Sequence, residues 1–227
     1  MTDATSEATR DATLSELCLR LADPHRLAGG GVAAAASAAL AASLAELVVA
    51  LSMKRRVNQG IQAELAADMA RLARLKDQLL EASDADIAAF VNLMEAQRSA
   101  RSSGERAAFR AALQVAAVSP LELADTTLAV LNVAVNRVHN AAPFAASDLV
   151  AAAALAGGAI DAALAMADVN LALMRSERDP ALDGALANME QTRARIAREA
   201  AAALEHLVES TRVDHTKEGS VSDGEAS

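Results

Sequence analysis

Apolar residues recur at helical spacing through most of this chain, and helix start and stop signals divide the pattern into about seven segments. Thr13-Leu14-Ser15-Glu16 is a capping box, in which each side chain satisfies a backbone N–H at a helix start. Leu14, Leu17, Cys18 and Leu21 follow at spacings of three and four. After Gly29-Gly30-Gly31, an almost unbroken apolar run predicts a long helix from about Val32 to Met53. The basic residues Lys54-Arg55-Arg56 close it, as the negative end of a helix dipole favours. Ile61, Leu65, Met69, Leu72, Leu75 and Leu79 form one stripe of a third helix, which continues through Asp86 and Phe90 to about Ala96. Ser102-Ser103-Gly104-Glu105 predicts the start of a fourth. Ser119-Pro120 reads as a cap with proline at the first position of a fifth, reaching about Asn140. Ala141-Ala142-Pro143-Phe144 reads as a loop, with Ser147 or Asp148 capping a sixth helix. Asp179-Pro180 starts a seventh. Its Leu182, Leu186, Met189, Ile196, Ala200 and Leu207 stripe suits either the bundle interior or a second subunit.

Composition turns these segments into a fold class. About a quarter of the chain is alanine, the strongest helix former, while Trp and Tyr are absent and the only aromatics are Phe90, Phe109 and Phe144. The expectation is an all-α, single-domain antiparallel bundle of about seven helices, packed closely because its side chains are small. Residues 1–12 are expected to be a disordered N-terminus, 13–211 the helical domain, and 212–227 a disordered polar tail.

The net charge of −9 argues against nucleic-acid binding, which needs a basic face. The single cysteine, Cys18, excludes an intrachain disulfide and fits a reducing, cytoplasmic setting; the N-terminus shows no secretion signal. Val32–Leu51 and Ala145–Met174 are long and apolar. However, the second carries Asp148, Asp161 and Asp168, and neither has an aromatic belt, so both read as buried helices with no membrane partner. His25, His139, His206 and His215 lack metal-ligand spacing, and no metal site is expected. The glycine run is not followed by the Lys-Ser/Thr of a phosphate-binding loop, and no nucleophile elbow or dinucleotide fingerprint occurs.

The candidate chemistry lies in a few places. Gly29, Gly30 and Gly31 precede a helix N-terminus, where free N–H groups attract anionic ligands and the absent side chains allow close approach; a plain turn is the alternative. Asp86 stands four residues before Phe90 and shares its helix face. Shielded there, it suits a base of raised pKa or a stabiliser of a cationic substrate, against the alternative of a solvated aspartate. Capping alone explains Ser147-Asp148, and Asp161 with Asp168 fits an exposed polar stripe. Lys54-Arg55-Arg56 is either a solvated helix end or an attractor for a carboxylate-bearing ligand.

In order and spacing, these landmarks resemble the cyclodeaminase/cyclohydrolase family, which includes the C-terminal domain of formiminotransferase-cyclodeaminase and stand-alone methenyltetrahydrofolate cyclohydrolases. The matching pieces are Gly29-Gly30-Gly31, Lys54-Arg55-Arg56, Asp86 with Phe90, Pro120-Leu121, Asn140 before Ser147-Asp148, and Asn170-Leu171, over roughly residues 14–175. The chain departs from the pattern at His25-Arg26-Leu27-Ala28, where the family has prolines, and at Ala142-Pro143-Phe144. It departs again at Met166, where an asparagine is expected.

The resemblance implies a homodimeric bundle with a folate pocket beside the glycine loop and the dimer seam. No permanently bound cofactor is implied; a tetrahydrofolate derivative is the substrate. The implied activity is 5,10-methenyltetrahydrofolate cyclohydrolase, since no formiminotransferase segment precedes the domain. The alternatives are formiminotetrahydrofolate cyclodeaminase, or a degenerate folate-binding or structural homologue. By the same resemblance, Asp86 and Asp148 are the catalytic candidates. Asp86 would serve as base and cation stabiliser, while Asp148 and Asn140 would orient the pterin or the reacting nitrogens. Gly29, Gly30 and Gly31 would hold the folate or an oxyanion, and Lys54, Arg55 and Arg56 its glutamate tail. Phe90, Ser147 and Asn170 complete the implied binding set.

Overall fold

The structure, a computed structural model, describes residues 8–104 and 106–219, with side chains as far as Ser210. Among the described residues there is no strand. The α-helices are α1 (Leu14–Ala22), α2 (Gly30–Met53), α3 (Gln62–Ser103), α4 (Ala107–Asn136), α5 (Ala146–Ser176) and α6 (Pro180–Gly219).

Helices α2 to α5 form a closed antiparallel ring: α2 packs on α3 and α5, and α4 packs on the same two. Helix α6 lies along α4 and α5. The ring is tight because its facing surfaces are alanine. Ala34, Ala35, Ala38, Ala41, Ala42 and Ala45 of α2 are buried, as are Ala152, Ala153, Ala156, Ala159 and Ala163 of α5. Leu65, Leu72 and Leu79 of α3 are fully buried, seven residues apart, as the sequence stripe predicts. Phe109 is the one buried aromatic among the described residues. Gly157 allows α6 its approach: a Cβ there would lie 3.1 Å from a Leu204 methyl. Three stretches, α2, α4 and 143–176, are long and apolar enough to cross a membrane by length and composition, and half or more of each such window is buried in the bundle.

Helix α1 keeps its expected capping box. The Thr13 hydroxyl accepts from the Glu16 N–H, and the Glu16 carboxylate accepts from the Thr13 N–H at 2.7 Å. None of its residues is buried.

Among the described residues six α-helices form, not about seven, because the break expected at Ser119-Pro120 does not occur: Pro120 lies inside α4. A proline has no N–H and so leaves the carbonyl four residues back, that of Ala116, without its helical donor. Asn170 of α5 supplies one instead, with Nδ2 to Ala116 O at 2.6 Å. Three further expectations are corrected. Ser102-Ser103-Gly104 ends α3 rather than starting the next helix, with Gly104 in the left-handed conformation (φ 77°) as its C-cap. Neither Ser147 nor Asp148 is an N-cap, since α5 already begins at Ala146 and Ala145 takes the cap position without a side-chain bond. Residues 9–11, expected to be disordered, form a 3-10 turn whose Thr9 N–H donates to Asp84 Oδ1 at 2.8 Å. Within the expected tail, α6 runs on to Gly219; residues 1–7 and 220–227 lie outside the described residues.

Candidate functional site

At the end of the ring where α2 begins, the bundle opens into a cavity of about 520 Å³, within the usual range for a small-molecule site. Each helix of the ring supplies part of the wall. The glycine turn and the start of α2 give Gly29, Gly30 and Gly31. Helix α3 gives Asp86 and Phe90, α4 gives Ala116 and Pro120, and α5 gives Met166 and Asn170. Antiparallel packing explains the convergence, since the start of α2 meets the later part of α3 and of α5.

Gly29 is the N-cap of α2, and no side chain caps the helix. Ala33 N–H already bonds to Gly29 O. The N–H groups of Gly30, Gly31 and Val32 therefore have no partner within the helix and form a row of donors at its positive end. Gly31 meets Asp86 directly. A Cβ built at residue 31 would lie 2.2 Å from Oδ2 and 2.3 Å from the carboxyl carbon, so only glycine leaves the carboxylate its place.

Asp86 is half-buried and has no hydrogen-bond or ion-pair partner among the described residues. Burial pushes its carboxyl upward from its ordinary value. An ionised carboxylate in this position is poorly solvated and uncompensated, which makes it a stronger base than a surface aspartate and an attractive neighbour for a cation. Phe90, one turn along α3, is 45% exposed at the cavity edge and adds an aromatic ring to the lining. Arg26, exposed at the mouth, stands 3.8 Å from Asp23.

The cavity gathers Gly29, Gly30, Gly31, Asp86, Phe90 and Asn170 of the expected set. It does not gather Lys54, Arg55, Arg56, Asn140, Ser147 or Asp148 of the same chain. Those lie toward the other end of α2, about 35 Å away by the length of a 24-residue helix. There Arg55 Nη1 donates to Asn140 O at 2.9 Å and Ala141 O at 2.5 Å, and Asn58 Nδ2 donates to Asn140 O at 3.0 Å. Arg55 thus has a structural duty that the sequence did not reveal, while Lys54 and Arg56 are exposed. Ser147 is exposed and Asp148 half-buried in the first turn of α5. His25 is exposed beside the glycine turn, and His139 is exposed beside Asn140.

Sequence reasoning missed the apolar wall, Leu27, Leu93 and Val169 among it, because isolated apolar residues carry no local signal of a cavity. It also misread Pro120, whose lost N–H could have pointed to a side-chain donor elsewhere in the chain.

The sequence profile of the formiminotransferase-cyclodeaminase family matches residues 13–179, a span that stops one residue before α6. Among solved structures, the chain is similar to the crystal structure of formiminotetrahydrofolate cyclodeaminase from Thermotoga maritima. The sequence identity is 20% and the TM-score 0.70, and the likeness covers 87% of this chain and 98% of that one. At that identity the likeness concerns the fold. No curated protein matches the chain.

Proposed function

This chain belongs to the formiminotransferase-cyclodeaminase family, and from that premise and the cavity we propose that it is a folate one-carbon enzyme acting on the N5/N10 one-carbon unit of tetrahydrofolate. The observation that carries the reading is Asp86, an unpartnered, half-buried carboxylate held against Gly31 at the N-terminus of α2. The substituted carbon of such a folate is amidine-like and cationic. It suits a cavity with one desolvated carboxylate and a facing row of N–H donors.

Cyclodeamination is the first reading, favoured by the family description. N10 attacks the formimino carbon of 5-formimino-tetrahydrofolate, whose terminal nitrogen enters protonated as =NH2⁺, forming the C–N10 bond. Asp86 takes the N10 proton and delivers it to the formimino nitrogen, whose bond to carbon then breaks. Ammonia leaves and the 5,10-methenyl cation remains. A carboxyl of raised pKa suits this shuttle because neither of its protonation states is far out of reach.

Hydrolysis of the methenyl bridge is the second reading, favoured by the absence, among the described residues, of a cationic side chain paired with Asp86. The carboxylate would pair with the methenyl cation and take a proton from the attacking water. Carbon gains an oxygen bond, the C–N5 bond breaks with its electrons passing to N5, and 10-formyl-tetrahydrofolate forms with one proton released overall.

We further propose a homodimer. Leu40 and Leu47 stand 53% and 47% exposed on the outward face of α2, with Ser43 exposed between them. A two-fold axis near the middle of α2 would lay two copies of the helix antiparallel. The partner's Lys54 and Arg56 would then approach the glycine turn, where the glutamate tail of a folate needs a cation.

One chromophore tests the activity. With 5-formimino-tetrahydrofolate, methenyl absorbance should grow and ammonia appear. With 5,10-methenyl-tetrahydrofolate, absorbance should decay faster than in buffer if hydrolysis is the reaction. Neither change, with no folate binding, would overturn the proposal.

A further inference from the structure

We propose that Asn170 is the residue that selects an N–H over an oxygen on the one-carbon unit, and that Pro120 is the positioning residue that fixes it in that role. The inference rests on the folate reading above and deepens it.

Pro120 is buried inside α4 and leaves the Ala116 carbonyl without its helical donor. Asn170 Nδ2 fills the vacancy at 2.6 Å. A carbonyl oxygen only accepts, so the amide nitrogen must be the atom that faces it, and the sense of the Asn170 amide is set by chemistry. Its oxygen is left without a partner among the described residues, on a side chain that lines the cavity.

Asn170 is also placed near Asp86. Met166, one turn earlier on α5, borders Gly30, where a Cβ would lie 3.1 Å from its sulfur. Asp86 abuts the next glycine from α3. Two acceptors, the Asp86 carboxylate from α3 and Asn170 Oδ1 from α5, therefore belong to side chains that line one cavity with the glycine turn. A group that bonds to both side chains must present N–H. The formimino unit does so. The formyl unit, the same in shape, presents an oxygen there, which accepts from the N–H groups at the start of α2 but from neither of these two side chains, and so forgoes both bonds.

Asp86 by its charge also prefers the formimino form, and turnover obscures binding, so the test is made on the Asp86→Asn background. Calorimetric titration with 5-formimino- and 5-formyl-tetrahydrofolate should show a preference for the former of about tenfold. Adding Asn170→Ala should abolish that preference and lower Tm, because the Ala116 carbonyl loses its donor. Adding Pro120→Ala as well restores a helical N–H to that carbonyl. It should recover Tm while leaving the preference absent, which separates the ligand role from the structural one. Persistence of the preference in Asn170→Ala, or its return with Pro120→Ala, would overturn the inference. Equal binding of both compounds by Asp86→Asn would overturn it while leaving the folate reading intact. Failure of the wild-type protein to bind either would overturn the folate reading and this inference with it.

Discussion

Asp86 occupies the space that any side chain at Gly31 would need: a methyl group there would sit 2.2 Å from Oδ2. The requirement for glycine is steric rather than conformational, and it is confined to one of the three. Nothing lies within 4 Å of a Cβ at Gly29, and one at Gly30 meets only the flexible end of Met166. Gly31→Ala is therefore expected to displace the carboxylate and to lower kcat by about a hundredfold. Gly29→Ala should stay within about threefold of wild type, since it meets no neighbour. Steady-state kinetics of the three single alanine variants check the ranking, and equal losses at 29 and 31 would mean that the loop itself, and not the Asp86 contact, matters.

Asp86→Asn should lose turnover by about a hundredfold or more, the usual range for removing a general base. It should also be the more stable protein at neutral pH. Burial raises the Asp86 pKa on folding, so between the ordinary and the raised value the native state holds more protons than the unfolded one. Stability then falls as pH rises through that window, and above it the ionised carboxylate carries the full penalty. Asparagine carries none. The Tm advantage of Asp86→Asn should thus be full above the window and shrink as pH falls through the carboxylate range. Wild-type activity should fall over the same window as the base is protonated. Thermal melts across pH check the first, and a kcat/KM profile the second.

Much of this site was legible because its signals are local. Three glycines before an alanine run mark a helix start with free donors, and a four-residue step places Asp86 and Phe90 on one face. Both follow from helical geometry alone. The close packing of helices through small residues was likewise implicit in the alanine content. The Pro120 bond to Asn170 was not legible, because it depends on which carbonyl meets which side chain 54 residues away. The separation of Lys54 from the glycine turn was implicit in the predicted Val32–Met53 helix between them. The pairing of Asn140 with the Lys54 end was not legible, because sequence order does not say which loop meets which end of a helix.

Arg55 illustrates that pairing. It donates to two carbonyls of the 140–141 loop; Arg55→Ala leaves Ala141 O without that donor and Asn140 O with Asn58 alone, and is expected to cost about 1–3 kcal/mol of stability. Lys54→Ala and Arg56→Ala, at exposed positions, should change stability by no more than about 0.5 kcal/mol. Chemical denaturation of the three variants makes the comparison. A stable Arg55→Ala with a raised KM would assign that side chain to the ligand instead.

The cavity and the basic end of α2 lie about 35 Å apart within one chain. If two copies of α2 lie antiparallel, each cavity takes Asp86 from one protomer and Lys54 with Arg56 from the other. Asp86→Asn and the double variant Lys54→Ala/Arg56→Ala should each be slow alone. Co-expressed, they form mixed dimers in which one cavity carries both defects and the other carries neither. With equal expression, half of the dimers are mixed and one cavity in four is intact, so about a quarter of wild-type activity should return. Leu47→Glu, a change that a free helix surface tolerates, should split the dimer in sedimentation and abolish turnover while leaving the helical circular dichroism signal unchanged. Activity in a monomeric Leu47→Glu protein, or no recovery in the mixed dimers, would confine the whole site to one chain and leave the basic end of α2 without a part in it.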